Sequence, residues 1–483
     1  MRLSDLLADM PILEVRGPLP DEVSGITKDS RDVEKDSLFF ATGSSKAFIH
    51  EAVQRGASAV VSDAASPDAP CCIVVSDPRM VLGRMAAKYY GFPSKKLHVT
   101  GVTGTNGKTT TTYLVESMLR AWGKKAGVIG TISYRFGDNE LRRPNTTPES
   151  TEIQKLLFDM IQGGVEYAIM EVSSHALDQH RVEGIDFDIG IFTNLTHDHL
   201  DYHGTLERYR EAKRLLFEHY LARSSKAKRY SILNLDDPLV GLFATKGKAT
   251  TLTYGIEHQG DAFPTWLDET VAGLSLGLSV LGRELEVSSP MVGTFNVSNI
   301  LAAVLYGYAI GMPFEIISKG ICDLSGVPGR LERVANTKGF HVFVDYAHTP
   351  DALMKTLKTV NSFKTTRLLL LFGCGGDRDK AKRPVMGGIA SEMADFTVVT
   401  SDNPRTEDPR AIIDDIVPGL KGNNFKIVED RKEAIHEIIR MARPEDIIVV
   451  AGKGHEDYQI IGQTKYHFSD REVIEECLSD VAA

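Results

Sequence analysis

The chain has 483 residues, too many for one ordinary hydrophobic core, so its length indicates two to four domains and we take three as the working number. Its 42% hydrophobic and 25% charged residues are typical of a globular protein and argue against a fibre or a long disordered tail. The formal net charge of −10 argues against nucleic acid or an anionic membrane as a partner, so an anionic substrate has to be held by local basic groups and backbone amides.

Cysteine usage and the apolar segments bear on the compartment. The five cysteines are sparse and contain no CxxC pair, which favours a reducing environment over a disulfide framework. Residues 1–17 lack the uninterrupted apolar core of a signal peptide, and the apolar stretch 301–314 is too short to cross a bilayer. We therefore expect a cytoplasmic protein without membrane insertion, and we expect a monomer.

The first domain is predicted at residues 1–97. Short β-like runs such as SLFFAT, SAVVSD and CCIVVSD alternate there with helical stretches such as IHEAVQRGA and MVLGRMAAKYYG. Such alternation is typical of a small α/β domain. The segment GFPSKKLHV then predicts a junction.

A second domain is predicted at residues 98–328 and a third at residues 329–483. Strand-like runs such as KAGVIGTI, YAIMEVSS and RYSILNL occur in the second, and HVFVDYA, RLLLLFGCGG and DIIVVAGKG occur in the third, after the turn residues of VPGRLERV. Repeated βα alternation produces parallel sheets covered by helices. The predicted fold class is therefore α/β, with a small N-terminal α/β domain, a central P-loop-type parallel-sheet domain and a Rossmann-like C-terminal domain.

A glycine-rich loop between a predicted strand and a predicted helix opens the second domain. It reads GVTGTNGKTT, and its glycines depart from the strict Walker spacing. Glycines allow backbone N–H groups to face phosphate oxygens, a lysine supplies charge near the β and γ phosphates, and a threonine can ligate Mg²⁺. The alternative is a glycine-rich turn with an incidental lysine. The predicted ATP-binding residues are Gly104, Thr105, Asn106, Gly107, Lys108, Thr109 and Thr110.

Two later segments concentrate acidic residues and histidines at the ends of predicted strands. One contains Glu171, and the other contains His197 and His199. Carboxylate and imidazole groups in such a position can hold Mg²⁺, whereas zinc is less favoured because no cysteine accompanies them. The alternative is that the histidines only cap strands and helices. In the following helix, Lys213 is by periodicity alone a solvated lysine of an amphipathic surface.

Ten motifs together resemble those of the Mur ligase superfamily in order and spacing, over nearly the whole chain. They are GTNGKTT, EVSSHALDQHR, NLTHDHLDYHG, YREAKRLLF, GTFNVSNILAA, PGRLE, VDYAHTPDAL, CGGDRDKAKRP, SDNPRTEDP and AGKGHEDYQ. The resemblance implies a first domain that holds a uridine group, a central ATPase domain and a mobile third domain. It also implies that Lys213 is carbamylated to N6-carboxylysine, which turns a cation into a magnesium-binding carboxylate.

The resemblance further implies roles for individual residues. Glu171, His199, Lys213 and Thr109 match magnesium ligands, and with Lys108 they form the expected catalytic group. Further expected ATP contacts are Asn296, Arg330 and Asp345. Expected contacts to a UDP-muramoyl-dipeptide are Ser30, Asn145, Thr146, Thr147, Ser173, Gln179 and Arg181. The run from Gly43 to Ile49 lacks the family's Asp-Gly-His triplet, which leaves the uridine contacts there undefined.

In this family the third domain selects the amine that is added. Meso-diaminopimelate carries a distal carboxylate that lysine lacks, and an arginine guanidinium can grip such a carboxylate with two hydrogen bonds. Arg405 therefore favours diaminopimelate, and the resemblance adds Glu456 for the distal ammonium. The alternative is a turn with a surface arginine. The expected amine-binding residues are Arg378, Asp402, Asn403, Pro404, Arg405, Gly452 and Glu456.

The expected substrates are all small molecules: ATP with Mg²⁺, a UDP-muramoyl-dipeptide and meso-diaminopimelate. The implied reaction activates the D-glutamyl γ-carboxylate as an acyl phosphate, which the amine then attacks. Candidates for the base that deprotonates the amine are His197, His348 and the substrate phosphate. The alternatives are a related ligase that uses L-lysine, a folylpolyglutamate-synthase-like ligase and a non-catalytic nucleotide-binding switch.

Overall fold

The computed structural model describes residues 1–142, 145–196, 198–244, 247 and 249–480. The chain divides into two compact units. The first comprises Met1–Phe263, Val280–Gly282 and Ser298–Gly320, and the second comprises Pro264–Ser279, Arg283–Val297 and Ile321–Ala483. Both units contain strands that alternate with helices, so the α/β prediction is confirmed.

The N-terminal part of the first unit is a sheet in the order β1-β5-β4-β3-β2. Its strands from β2 to β5 are parallel to their neighbours, and only β1 runs antiparallel to β5. The strands are β1 (Ile12–Arg16), β2 (Ile26–Thr27), β3 (Ser37–Phe40), β4 (Ala57–Ser62) and β5 (Cys72–Val75), and the helices are α1 (Leu3–Leu7), α2 (Ile49–Gln54) and α3 (Pro78–Tyr89). All three β-like runs that were quoted for this region form strands.

A second sheet of the first unit has the order β13-β12-β11-β6-β10-β7-β8-β9. Its strands are β6 (His98–Thr103), β7 (Ala126–Ile129), β8 (Tyr134–Phe136), β9 (Asn139–Leu141), β10 (Tyr167–Glu171), β11 (Ile189–Phe192), β12 (Tyr230–Asn234) and β13 (Thr250–Tyr254). The helices are α4 (Lys108–Ala121), α5 (Ser150–Gln162), α6 (Ser174–Asp178), α7 (Leu200–His203) and α8 (Leu206–Leu215), and a π-helical turn, Leu216–Leu221, continues α8.

The register of this sheet determines which residues meet at its carboxyl edge. Strand β10 is parallel to β6, with Glu171 opposite Val102, and β11 is parallel to β6 on the other side, with Phe192 opposite Thr103. Three segments therefore leave the sheet at nearly the same level. They are the loop after β6, the loop after β10 and the loop after β11, which is the position where open α/β sheets bind ligands.

In the sheet order, three further strands come after β13, and two helices follow these strands in the chain. They are β14 (Ala262–Thr270), β15 (Gly273–Val280) and β16 (Arg283–Ser289), then α9 (Phe295–Ala309) and α10 (Phe314–Cys322). These strands have no counterpart among the predicted elements, and neither do the short antiparallel strands β8 and β9.

The second unit contains a sheet in the order β17-β18-β22-β19-β20-β21, which is parallel except between β17 and β18. The strands are β17 (Glu332–Val334), β18 (His341–Asp345), β19 (Leu368–Phe372), β20 (Phe396–Val399), β21 (Phe425–Ile427) and β22 (Ile447–Ala451), and β23 (Tyr458–Ile461) and β24 (Thr464–His467) form an antiparallel hairpin. The helices are α11 (Pro350–Phe363), α12 (Lys382–Met393), α13 (Pro409–Ile416), α14 (Arg431–Met441) and α15 (Asp470–Asp480).

The inner strands of both large sheets are apolar and buried on both faces. Strands β19 and β22 have every residue buried, as expected where helices cover a parallel sheet on both sides. Within the described ranges, every helix is either too short or too polar to cross a membrane. The domain boundaries at 97/98 and 328/329 stay a prediction.

Candidate active site

The phosphate-loop candidate, residues 104–107, is held by the segment that follows β11. The Thr105 N–H donates to the Asn194 carbonyl at 2.8 Å, and the Asn106 N–H donates to Asn194 Oδ1 at 3.0 Å. Thr193 Oγ1 donates to the Asn106 carbonyl at 2.6 Å. The loop conformation is thus fixed by neighbouring groups of the same sheet edge, and the contribution of Asn194 was missing from the sequence analysis.

The loop passes directly into α4. Gly107 is the residue before the helix and has a φ of +86°, and a Cβ there would lie 2.3 Å from Asn299 Oδ1, so only glycine fits. Lys108 begins the helix, and its Nζ donates to the Gly104 and Thr105 carbonyls, both at 2.9 Å. Thr109 and Thr110 follow, with both side chains buried.

Lys213 is buried beside the same loop, so the interpretation as a solvated lysine is wrong. Only 1% of the residue is exposed, and its Nζ donates to the Gly104 carbonyl at 2.8 Å. The Lys108 Nζ binds this same carbonyl, so the two amino groups lie within two hydrogen-bond lengths of each other. Burial, reinforced by the charge of Lys108, lowers the pKa of Lys213 well below its usual value. The structure therefore favours a neutral amine at Lys213.

Glu171 ends β10 and is almost completely buried. Its Oε2 accepts hydrogen bonds from Thr109 Oγ1 at 3.1 Å and from Thr131 Oγ1 at 2.9 Å, and its Oε1 accepts one from the Thr131 N–H at 2.9 Å. Thr131 Oγ1 also contacts Thr146 Oγ1 at 3.0 Å. Glu171 thus joins the phosphate loop to one of the predicted substrate residues through Thr131, which the sequence analysis did not identify.

The donors near the loop suit a hard cation. Thr109 offers a hydroxyl and Glu171 a carboxylate, and both are oxygen ligands of the kind that Mg²⁺ prefers. Among the described residues, no three or more histidine, cysteine, aspartate or glutamate side chains are grouped so as to hold a metal ion. The Thr109–Glu171 pair alone therefore falls short of a complete ligand set.

Of the two candidate histidines that follow β11, the structure describes only one. His199 is exposed, and its ring lies 4.9 Å from that of His175 and 6.1 Å from that of Tyr209, the residue one turn before Lys213. Tyr209 in turn contacts Thr105 Oγ1 through its hydroxyl at 3.1 Å. His199 is therefore in the vicinity of the loop. His197 lies outside the described residues.

The predicted dipeptide contacts from two distant motifs lie side by side. Thr147 Oγ1 donates to the Glu171 carbonyl at 2.8 Å and accepts from the Ser173 N–H at 3.0 Å. Arg181 Nη1 donates to the Thr147 carbonyl at 2.9 Å, and Arg181 Nη2 donates to Gln179 Oε1 at 2.8 Å. The structure thus brings the NTTPE and EVSSHALDQHR motifs together beside Glu171.

The remaining two dipeptide candidates lie at the margin of this group. The Asn145 carbonyl accepts a hydrogen bond from the Tyr134 hydroxyl. Ser30 is buried in the N-terminal part of the unit, two residues after Lys28, which forms an ion pair with Glu149 at 2.8 Å. Since Glu149 also pairs with Arg181 at 3.3 Å, the segment that carries Ser30 is linked to the group by charge.

The other three ATP candidates belong to the second unit. Asp345 is buried at the end of β18, and its carboxylate accepts from the Leu331 and Ala347 N–H groups and from Thr356 Oγ1. Burial raises the pKa of Asp345. The Arg330 guanidinium lies 5.2 Å from the ring centre of Tyr346, which follows Asp345 in the chain. Asn296 is buried, and its Nδ2 donates to the Val292 carbonyl at 2.7 Å.

Four of the amine-binding candidates meet at the carboxyl edge of the second unit's sheet. Asn403 Nδ2 donates to Glu456 Oε2 at 2.9 Å, and burial raises the pKa of Glu456. Gly452 lies so close to Asp402 that a Cβ at Gly452 would be 2.7 Å from Asp402 Oδ2. The structure therefore joins the SDNPR and GKGHE motifs, as the resemblance implied.

Arg405 and Arg378 come from two loops that pack together. Arg405 has a φ of +53°, and its Nη1 donates to the Gly376 carbonyl at 2.7 Å, two residues from Arg378. Gly376 lies against the Pro404 carbonyl. Arg378 Nη1 donates to the carbonyl of its own neighbour Asp377 at 3.0 Å.

A buried ion pair ties these two loops to each other. The fully buried Arg383 guanidinium donates to both oxygens of Glu407, at 2.8 Å and 3.0 Å, and to Asp415. Glu407 Oε1 also accepts from the Asp377 N–H at 2.6 Å. Hydrogen bonding from Arg383 lowers the pKa of Glu407 to about 2. This pair was also absent from the sequence analysis.

Comparison with known proteins places the chain among enzymes of one family. The family model for the Mur ligase middle domain matches residues 102–307, and the model for the Mur ligase, glutamate ligase domain matches residues 329–454. The UDP-N-acetylmuramoyl-L-alanyl-D-glutamate–2,6-diaminopimelate ligase of Geobacter metallireducens is 45% identical over 98% of both chains. The ligase of the same name from Bacillus cereus is 43% identical over 99% of this chain and 98% of its own.

A solved structure agrees with these sequence matches. The structure of a UDP-N-acetylmuramoyl-L-alanyl-D-glutamate–2,6-diaminopimelate ligase is 34% identical to this chain, with a TM-score of 0.73 over 98% of each chain. The similarity extends over the whole length, including the regions that carry all the candidate residues.

The lowered pKa of Glu407 predicts an acid-dependent loss of stability. A carboxyl group with a folded pKa of about 2 instead of its usual 4.5 stabilises the fold above pH 4.5, and this contribution disappears as the pH falls toward 2. We expect the unfolding free energy of Glu407→Gln to fall less steeply than that of the wild type between about pH 5 and pH 3, measured by urea titration. Glu392→Gln, which removes an exposed carboxylate from α12, is the control. Parallel slopes for wild type and Glu407→Gln would contradict the prediction.

Proposed function

Because the chain belongs to the Mur ligase family, we propose that it is an ATP-dependent ligase that adds meso-diaminopimelate to UDP-N-acetylmuramoyl-L-alanyl-D-glutamate. The new amide forms at the D-glutamyl γ-carboxylate, in the synthesis of peptidoglycan precursors. The observation that carries the proposal is the position of Glu171, which contacts Thr109 of the phosphate loop directly and Thr146 through Thr131. Nucleotide and acceptor carboxylate would thus meet at one sheet edge.

The first step transfers the γ-phosphoryl group of ATP to the γ-carboxylate, giving an acyl phosphate and ADP. Phosphoryl transfer requires mainly positioning and neutralisation of charge. The backbone of residues 104–107 cradles the phosphates, and Lys108 at the start of α4 supplies positive charge next to them. When the phosphates bind, the Lys108 ammonium exchanges backbone carbonyls for phosphate oxygens, which are stronger acceptors for a charged donor.

Lys213 is proposed to act as N6-carboxylysine. Only a neutral amine attacks CO₂, and burial beside Lys108 favours the neutral amine at Lys213. The Nζ lone pair forms a bond to the carbon of CO₂ while one C–O π bond opens onto oxygen, and the nitrogen then releases one proton to water, which leaves a carbamate with one negative charge. This conversion places an anion beside the Lys108 ammonium, so the two groups at the Gly104 carbonyl attract each other.

Thr109, Glu171, His199 and the carboxylated Lys213 would hold Mg²⁺. The bound cation neutralises phosphate charge and orients the transferred group. Thr131 keeps Glu171 in place, since it donates two hydrogen bonds to the carboxylate. Asn296, Arg330 and Asp345 are proposed as further ATP contacts. Ser30, Asn145, Thr146, Thr147, Ser173, Gln179 and Arg181 are proposed to bind the UDP-muramoyl-dipeptide.

In the second step the amine attacks the acyl phosphate carbon and phosphate leaves. Arg405 is proposed to grip the distal carboxylate of diaminopimelate, and Glu456 to accept the distal ammonium. Arg378, Asp402, Asn403, Pro404 and Gly452 complete the proposed amine site. His348, whose Nδ1 lies 2.8 Å from the Tyr346 carbonyl, stays a candidate for the base, together with His197 and the substrate phosphate.

The proposal also includes the organisation of the protein. Residues 1–97 bind the UDP-muramoyl group, residues 98–328 bind ATP, and residues 329–483 bind the amino acid. The proposed form is a cytoplasmic monomer with small-molecule substrates and no nucleic acid. The alternatives differ in the amine or in the reaction: an L-lysine-adding ligase, a folylpolyglutamate-synthase-like ligase and a nucleotide-binding switch without ligase activity.

An amine-selectivity assay tests the function. We expect phosphate release from ATP to require both the UDP-muramoyl-dipeptide and an amine, and kcat/KM for meso-diaminopimelate to exceed that for L-lysine by at least about 100-fold, because lysine leaves the Arg405 guanidinium unpaired. Mass analysis of the product verifies the new amide. Equal use of lysine, glutamylation of a folate, or phosphate release that needs no amine would each support the corresponding alternative and contradict the proposal.

The role of Arg405 predicts a selective defect. Arg405→Ala should raise KM for meso-diaminopimelate by about 10- to 1000-fold, because a bidentate contact to a carboxylate is lost, while KM for ATP stays close to the wild-type value. Arg410→Ala is a matched control, since Arg410 is an arginine of the neighbouring helix α13 with an exposed ion pair to Asp414. An unchanged KM for diaminopimelate in Arg405→Ala would remove Arg405 from the specificity site.

A further inference from the structure

Lys453 lies among the proposed amine-binding residues, yet none of the roles derived from the sequence includes it. Its side chain is fully buried, and its Nζ donates to Asn403 Oδ1 at 3.1 Å and lies 3.6 Å from Glu456 Oε2. A buried ammonium is costly unless charged or polar groups compensate it. Asn403 and Glu456 supply this compensation, so Lys453 is part of the same polar network.

The loop that carries Lys453 is held rigidly against the SDNPR loop. The φ of Gly452 is +116°, and the residue packs directly on Asp402. Arg431, paired with Asp470 in the interior, donates to the carbonyls of Ser401 and Ala451 at 3.3 Å and 3.0 Å. These contacts fix the backbones of the two loops relative to each other. Only the orientation of the side chains that the loops carry can then vary.

Lys453 contributes to the orientation of the Asn403 amide. Asn403 Oδ1 accepts from both the Lys453 Nζ and the Ile460 N–H, the latter at 2.9 Å. A carbonyl oxygen cannot donate, so with Oδ1 facing two donors the Nδ2 group has to face Glu456, to which it donates at 2.9 Å. Without Lys453, Oδ1 would lose one of its two donors, and only the Ile460 N–H and the Glu456 carboxylate would oppose a flipped amide.

Ile460, which belongs to β23, also holds the backbone of Arg405. The Ile460 carbonyl accepts from the Arg405 N–H at 3.0 Å, while the Ile460 N–H binds Asn403. Ile460 of β23 therefore holds both the Arg405 backbone and the side chain of Asn403, which in turn contacts Glu456. This arrangement sets the spacing between the group proposed to bind the distal carboxylate and the group proposed to bind the distal ammonium.

The charges in the network reinforce one another. Burial lowers the pKa of Lys453, but the negative charges of Asp402 and Glu456 favour its ammonium form. Burial likewise raises the pKa of Glu456, and the charge of Lys453 opposes this shift. Removal of the ammonium would therefore weaken both the amide orientation and the ionised state of Glu456.

We infer that Lys453 is a positioning residue for amine selection: it holds Asn403 and Glu456 so that the carboxylate of Glu456 is presented to the distal ammonium at a set distance from Arg405. The inference rests on the proposed function and names a residue that acts through others. Lys453 itself is placed behind Asn403 and Glu456 and needs no contact with the amine.

Kinetics of Lys453→Met test the inference, because methionine matches the lysine side chain as far as Cε and removes its charge and donors. We expect KM for meso-diaminopimelate to rise by about 10- to 100-fold, the effect of losing a charge-assisted hydrogen bond, while KM for ATP and for the UDP-muramoyl-dipeptide changes less than about twofold. The preference for diaminopimelate over L-lysine should fall. Lys364→Met, which removes a lysine paired with Asp395 in the same unit, is the control and should retain wild-type selectivity.

A double-mutant cycle separates positioning from a merely structural role. Because Lys453 acts partly through Asn403, Lys453→Met should raise KM for diaminopimelate by a smaller factor in an Asn403→Ala background than in the wild-type background. Equal effects in both backgrounds would overturn the inference, as would an unchanged KM and selectivity in Lys453→Met alone. A rise in KM for all three substrates alike would overturn it too.

A second variant decides the matter if Lys453→Met does not fold. The aspartate of Asn403→Asp still accepts from Lys453, but it cannot donate to Glu456 and places a second negative charge beside the Glu456 carboxylate. KM for diaminopimelate should therefore again rise selectively. An unchanged KM would overturn the inference. The wild type measured in parallel distinguishes the two claims. Failure of the wild type to ligate diaminopimelate contradicts the proposed function, whereas normal wild-type kinetics with an unaffected variant contradict only the role of Lys453.

Discussion

The Gly104 carbonyl accepts hydrogen bonds from two lysines, and the first unit's site depends on this shared contact. Lys108 is at the start of α4, and Lys213 comes from α8, more than 100 residues later in the chain. Two ammonium groups at one carbonyl in a buried setting would repel each other strongly. Burial and the charge of Lys108 lower the pKa of Lys213, and the neutral amine is the form that can react with CO₂.

The parallel sheet explains why residues from distant parts of the chain meet beside the phosphate loop. Because β6, β10 and β11 run in parallel and in register, the phosphate loop, Glu171 and the Thr193–Thr196 segment leave the sheet at one edge. Thr109 and Thr131 then orient the Glu171 carboxylate, and Thr146 extends the network toward the proposed dipeptide site. The groups proposed to bind phosphate, metal and acceptor are thus connected by hydrogen bonds, as a reaction between ATP and a carboxylate requires.

Much of this could be predicted from the sequence, for physical reasons. Alternating apolar runs predicted the inner strands of both large sheets, and the glycine-rich segment predicted the strand, loop and helix over residues 98–121. Thr131, Asn194 and Lys453 could not be predicted, since single threonines, asparagines and lysines are common everywhere and only the three-dimensional contacts distinguish these. The burial of Lys213 was hidden for a similar reason, because its helix has the periodicity of a surface helix. The strands β14–β16 and the hairpin β23–β24 were also missed, although β23 accepts a hydrogen bond from the Arg405 N–H.

The most direct test of the account is whether Lys213 carries a carboxyl group derived from CO₂. Protein equilibrated with ¹³C-bicarbonate and Mg²⁺ can be examined by ¹³C NMR, with Lys213→Met as the reference. The account predicts a carbamate carbon signal in the wild type that disappears in Lys213→Met and diminishes when CO₂ is removed. A wild-type spectrum without this signal, or the same signal in Lys213→Met, would contradict it.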